Sequence, residues 1–255
     1  MAENNQAYYQ GYQGGAEQDA QQPRQNSQRS LSMDYTVDMV FCIDATGSME
    51  DFSGGQDRII NMVKQNAVNF YSDFTDLMNR KGKHVRQLRV RIVAFRDYLA
   101  DGEHAMLVTD FFLLPQQAKE FEACINSIHA DGGGDIPEDG LEALAYAIRS
   151  KWTSEGTKKR QVIVVWTDAA THNLGFGNGS SYYPKGMPAN LSELNDWWDG
   201  MNANAKRLVL FAPDEEYWSY ISQNWENTVH IPSAAGNGLA EKSYNEILNA
   251  IANSV

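Results

Sequence analysis

From residue 34 onward, apolar runs rich in branched residues alternate with stretches whose apolar positions recur every three or four residues. The first pattern predicts strands buried on both faces, and the second predicts amphipathic helices. "YTVDMVFCID", ending at Asp44, reads as the first strand. Residues 56–80 follow as a long helix, with Ile60, Val63, Ala67, Phe70, Phe74 and Leu77 on one stripe. "LRVRIVAFRDY" and "HAMLVTDFFLL" read as the second and third strands, separated only by "LADGE". That connection is too short for a helical crossover, so the two strands are expected to pair antiparallel.

A helix is expected over 115–128, then the loop "HADGGGD", then a helix carrying Leu141, Leu144, Ala145 and Ile148 on one face. "RQVIVVWTD", ending at Asp168, is the fourth strand, and "AATHNLGFGNGSSYYPKGMPAN" is a long Gly-rich, aromatic loop of the kind that tends to be functional. Asn190 and Glu193 read as a capping box opening the helix of Leu194, Trp197, Trp198 and Met201. Strands "KRLVLFAP" and "NTVHIPS" flank the helix "DEEYWSYISQNW", and Tyr244, Ile247, Leu248 and Ile251 mark a last helix. The expected fold is α/β, a doubly wound, mostly parallel six-stranded sheet with one antiparallel edge strand and helices on both faces. Residues 1–33 differ, being rich in Gln, Asn, Gly and Tyr with almost no aliphatic side chains. They are expected to form a disordered tail before a domain at 34–255. Within that tail Tyr8, Tyr9 and Tyr12 read either as contact points for a partner or for self-association, or as part of a solvated linker.

In a sheet of this kind, ligands bind beyond the carboxyl ends of the strands. Asp44 ends the first strand and Asp168 the fourth; if these strands are neighbours, both carboxylates face one pocket. Thr46 and Ser48 add hydroxyl oxygens from the following turn. An all-oxygen set suits Mg²⁺, Mn²⁺ or Ca²⁺ rather than zinc. The alternatives are plain: Asp44 as a strand end, Ser48 as a helix cap, and Asp135, Pro137 and Glu138 as the cap, early turn and N3 of the next helix. Asp97 reads as a partner contact or a solvated loop charge, and His172 as a rim residue or a solvated loop histidine.

"DATGS" at 44–48, "GGGDIPED" at 132–139 and "VVWTDAATH" at 164–172 resemble the three loops of a von Willebrand factor A (vWA) domain with its metal-ion-dependent adhesion site. The resemblance spans about 34–255. It implies a Rossmann-like fold with Asp44, Thr46, Ser48 and Asp168 as metal positions. Asp135 stands where this family commonly has Thr, as in the subset with TGSM and GGGDxPE loops, and the resemblance implies it as a fifth metal position beside its reading as a helix cap. Ionised beside Asp44 and Asp168, Asp135 would make the site net negative and weaken its pull on an external carboxylate. The family also implies an intracellular adaptor acting beside a kinase, a phosphatase or an AAA+ ATPase, tellurite-resistance and stress systems included.

Composition narrows the classes further. Over 255 residues, 21 Lys and Arg against 33 Asp and Glu give a net charge of −12, which argues against nucleic acid and anionic lipid as partners. The two cysteines, Cys42 and Cys124, lie among apolar residues and are expected as free thiols. No apolar run reaches membrane-spanning length and no signal peptide is visible, so the expected location is cytoplasmic, with no membrane association. The first functional expectation is a non-enzymatic, metal-dependent protein-binding module that takes an oxygen of a protein partner at the ion, a carboxylate being one candidate, and uses Phe176, Tyr182 and Tyr183 for specificity, with Asp97 and His172 nearby. A second is an assembly protein driven by its N-terminal tail. A third, a Mg²⁺-dependent phosphohydrolase with Asp44 as nucleophile, lacks the expected second Asp, since Thr46 stands there.

Overall fold

The computed structural model describes residues 33–49, 59–134, 136–233 and 243–255. Asp135 and the tail, apart from Met33, lie outside them. So does the start of the long helix, residues 56–58. The described residues belong to the compact unit Ser32–Val255.

Strand β1, Met33–Asp44, is the centre of the molecule. Its alternate residues serve two cores: Val37, Met39, Phe41 and Ile43 enter one, Val40 and Cys42 the other. Helices α1 (Ile59–Arg80), α3 (Ala118–Ser127) and α7 (Tyr244–Ser254) cover the first face. Helices α4 (Gly140–Ile148), α5 (Leu191–Asp199) and α6 (Glu216–Asn224) cover the second. This is why the strand reads as a continuous apolar run rather than an alternating one. Cys42 and Cys124 are both free thiols. No helix among the described residues is long and apolar enough to cross a membrane.

The remaining strands are β2 (Lys83–Phe95), β3 (Met106–Val108), β4 (Phe112–Leu114), β5 (Lys158–Trp166), β6 (Lys206–Ala212) and β7 (Thr228–Pro232). They give a seven-stranded sheet of order β3-β2-β1-β5-β6-β7, with β4 also on β2. All pairings are parallel except those of β3 and β4 with β2. The count corrects the expected six strands. Ile92 of β2 donates its N–H to Thr109 Oγ1 and accepts from Thr109 N, both at 3.0 Å. The threonine side chain takes a ladder position, and the expected single edge strand divides into β3 and β4 on either side of it.

Between β2 and β3 the short link folds into helix α2, Tyr98–Asp101, whose Leu99 and Ala100 amides donate to the Asp97 carboxylate. Helix α4 starts only at Gly140. Pro137 and Glu138 therefore precede the helix, which corrects their placement in its first turn. Glu138 instead bridges Thr171 in a parallel pair. Asn190 caps α5 by accepting from Glu193 N, but the Glu193 carboxylate takes Ala189 N rather than closing the reciprocal box.

Candidate metal centre at the carboxyl edge of the sheet

The direction of winding changes between β1 and β5, and Asp44 and Asp168 both emerge at the carboxyl end of that seam. Asp44 is fully buried. Its Oδ1 accepts from Thr46 N at 3.0 Å and from Thr46 Oγ1 at 2.6 Å; its Oδ2 accepts from Thr167 Oγ1 at 2.6 Å. The Thr46 and Ser48 hydroxyls lie 3.1 Å apart, and Ser48 Oγ donates to Asp168 Oδ1 at 3.0 Å. The chain Asp44, Thr46, Ser48, Asp168 is thus a continuous run of oxygens, ending on the buried Asp168 Oδ2, which has no hydrogen-bond partner among the described residues.

Burial pushes the Asp44 carboxyl up to about 6, against the hydrogen bonds from Thr167 and Thr46 and with a further upward push from Asp168. Burial also raises Asp168, opposed by the Ser48 bond. No ion pair among the described residues joins either carboxylate to a Lys or Arg. No three His, Cys, Asp or Glu side chains among them converge as a metal-binding group. The donors are instead two carboxylates linked through hydroxyls. Their chemistry fits a hard cation, and the unpartnered Asp168 oxygen is an atom such a cation would satisfy.

Glu138, expected at the third position of a helix, borders this pocket. Its main chain is tied to the third loop: Glu138 N donates to Ala170 O, and Glu138 O accepts from His172 N and Thr171 Oγ1. A Cβ on Gly133 would stand 2.9 Å from Glu138 Oε1 and 3.0 Å from Thr46 Cβ, so the carboxyl and Thr46 share the space that glycine leaves open. Glu138 Oε2 is buried and has no partner among the described residues. Burial, followed by the charges of Asp44, Asp97, Asp101 and Asp139, pushes this group up to about 9. "GGGDIPED" carried the signal, but Pro137 read as a helix start concealed it.

Arg96 fixes the loops that carry these groups. Its Nε donates to Ala45 O and Asp131 O, its Nη1 to His104 O and its Nη2 to His129 O, all at 2.6 to 2.9 Å. The planar fork suits one guanidinium to carbonyls arriving from several directions. Asp101 closes the same corner by accepting from Gly133 N, and a side chain at Gly132 would collide with its carboxylate.

The expected rim residues divide. Asp97 and His172 are not solvated loop residues: both are buried, with His172 Nε2 3.2 Å from Asp97 Oδ2 and its ring stacked on Phe176 at 3.7 Å. Tyr183 donates its hydroxyl to Glu142 Oε1, accepts from Gly175 N and packs edge-on against Tyr98. It builds the rim from below. Phe176 and Tyr182 are exposed, as are Leu99 and Ile136. Tyr182 lies against Gly102 and Leu99 against Gly179, which knits α2 to the short helical turn Phe176–Gly179.

No protein-family model matches the chain. It is 23% identical over 169 residues to "Alpha-protein kinase vwkA" of Dictyostelium discoideum, a match covering 66% of this chain but only 24% of that protein. The chain therefore spans about a quarter of the length of the curated relative it matches. Among solved structures it is similar to the PilB minor pilin of Streptococcus sanguinis, at 14% identity and a TM-score of 0.54 over 85% of this chain and 61% of the other. It is similar also to the pilus adhesin SpaC of Lactobacillus rhamnosus GG, at 16% identity and a TM-score of 0.51 over 85% of this chain and 30% of that one. At such identities these likenesses establish the architecture, a mixed α/β sheet of mostly parallel strands with helices packed on both faces.

Proposed function

We propose that residues 34–255 form a vWA domain whose metal-ion-dependent adhesion site makes it a non-enzymatic, divalent-cation-dependent protein-binding module. The observation that carries this reading is the oxygen chain from Asp44 through Thr46 and Ser48 to Asp168, with a buried Asp168 oxygen at its end that has no partner among the described residues. Asp44, Thr46, Ser48 and Asp168 would hold the ion, Mg²⁺ or Mn²⁺ before Ca²⁺, and Asp135 and Glu138 are further carboxyl groups of the same loops. The bound ion supplies a Lewis-acidic position for an oxygen of the partner. The protein's own part is to fix the two carboxylates, through Thr167 and Ser48, and to offer Leu99, Ile136, Phe176 and Tyr182 beside them as exposed apolar contacts. Both Asp44 oxygens accept short hydrogen bonds, which suits a positioned carboxylate better than the nucleophile of a phosphohydrolase. The name of the Dictyostelium relative supports an adaptor working beside a kinase activity; the cytoplasm is the setting in which we place it.

The test is calorimetric titration of Mg²⁺ and Mn²⁺ into the wild type and Asp168→Ala, followed by pull-down of partners with and without EDTA. Metal heat that Asp168→Ala abolishes, and capture that EDTA releases, are expected. A folded wild type that binds neither ion, or capture indifferent to EDTA, would overturn the reading.

A further inference from the structure

The opposite end of the sheet concentrates positive charge. Registers place Lys83 opposite Met33, Lys158 opposite Tyr35 and Lys206 opposite Gln161, so the amino-terminal ends of β2, β5 and β6 form one edge. Around the Tyr35 ring stand Lys83 Nζ at 5.9 Å, Lys158 Nζ at 5.7 Å and the Arg160 guanidinium at 5.3 Å. Arg160, Lys81, Arg207 and Lys158 all act on Lys83 strongly enough to add to the lowering that its partial burial causes. In a chain of net charge −12, such crowding of like charges opposes folding and calls for a reason.

Five of these basic side chains, Lys81, Lys83, Lys159, Arg160 and Arg207, make their contacts among the described residues with main-chain or amide oxygens or with the Tyr35 ring, not with a carboxylate. Arg160 Nε donates to Val255 O, and its Nη1 donates to Lys159 O and Asn204 O. Arg207 Nε donates to Ser254 O and its Nη1 to Lys206 O. Lys81 Nζ meets the Asn253 amide oxygen and Lys159 Nζ meets Ser154 O. No ion pair among the described residues joins Lys81, Lys83, Lys159, Arg160 or Arg207 to an Asp or Glu. Main-chain oxygens hold both guanidinium groups in place, so little side-chain entropy remains to be lost when they bind something. Arg160 and Arg207 line a cavity of about 610 Å³ together with Lys159, Asn202, Asn204 and Asn227.

We propose that this cavity is an anion site that takes a phosphoryl group. Its lining brings two guanidinium groups and an ammonium group to one space with little apolar surface, a set matched to the oxygens of a compact polyanion. The volume lies within the range of small-ligand pockets, whereas such strongly polar walls disfavour an apolar ligand. The site faces away from Asp44 and Asp168 and stands independently of the metal reading. The phosphoryl group can come from a free polyphosphate or from a phosphorylated protein segment.

Calorimetry on the full chain at low salt distinguishes these sources, with sodium tripolyphosphate in one arm and a phosphoserine peptide beside its unphosphorylated form in the other. One arm is expected to bind, whichever is tighter naming the source, and binding should weaken as salt rises to ~0.3 M, where charges are screened within several ångströms. Arg207→Gln removes a cavity donor but also a tie to Ser254, so the double variant Lys83→Gln/Lys159→Gln is the cleaner probe. It is expected to keep the wild-type melting temperature and bind roughly tenfold more weakly, about 1.4 kcal/mol. Absence of heat from both ligands at millimolar concentration, equal binding by the folded double variant, or tighter binding of a short duplex DNA would overturn the proposal.

Discussion

Thr167, the residue after β5, donates its hydroxyl to Asp44 Oδ2 at 2.6 Å, so one carboxylate at the end of β1 is oriented from the neighbouring strand. Thr167→Val keeps the volume and removes the donor, leaving a buried carboxylate oxygen unpaired. The expected cost is about 1–3 kcal/mol in urea unfolding. Losing that bond also raises the Asp44 pKa further, so Mg²⁺ affinity should fall most near pH 6; wild-type affinity at all pH values would contradict this.

Arg96 joins four loop carbonyls. Arg96→Lys retains the charge and loses the fork, and should destabilise the chain by about 3 kcal/mol while weakening metal binding through the Ala45 and Asp131 loops. Denaturant unfolding with and without Mg²⁺ measures both effects. An unchanged midpoint would show that the carbonyls are satisfied without it.

Asp139 and Glu142 give a pH dependence that can be worked out in sign. Burial, then the Glu142 charge, lifts Asp139 from its ordinary 3.8 to about 7; burial also raises Glu142 above 4.5. A raised folded-state value means the folded chain binds more protons than the unfolded one. Their contribution is therefore full below about pH 4 and is lost as pH rises through 7. In EDTA, stability should decline over that interval. Asp139→Asn, which preserves the acceptor for Tyr98 N, should flatten the slope; a slope equal to the wild type's would exclude this assignment.

Leu99 and Tyr182 are exposed, and their side chains take no part in the hydrogen bonds of the candidate metal centre. If the exposed apolar side chains contact the partner, Tyr182→Ala should cost about 2 kcal/mol of partner affinity and leave Mg²⁺ titration unchanged. Loss of metal binding in this variant would instead assign Tyr182 to supporting the loop.

The central strands were legible in the sequence, because burial on both faces writes an unbroken apolar run and β1 and β5 are of that kind. That β1 and β5 are neighbours, which brings Asp44 and Asp168 together, entered only as a condition, since an apolar run does not say which strand it pairs with. Thr109 was not legible as a ladder participant, since a side chain standing in for a backbone group leaves no periodic trace. Glu138 was hidden by Pro137, whose preference for a first helical turn competed with the bridge to Thr171 and lost. Asp97 and His172 looked solvated singly. Their burial depends on each other and on Phe176, a relationship between distant segments that spacing does not encode.

The register of β1 on β5, Tyr35 to Ile43 against Lys158 to Trp166, has a mechanical consequence. A tug entering at Asp44 would run along the length of β1, across the direction of its hydrogen bonds to β2 and β5. Both ladders would have to slide together before the strand moved, whereas a pull perpendicular to it would open one pair at a time. The carboxyl edge is therefore anchored where the sheet resists traction best, by shear rather than by peeling.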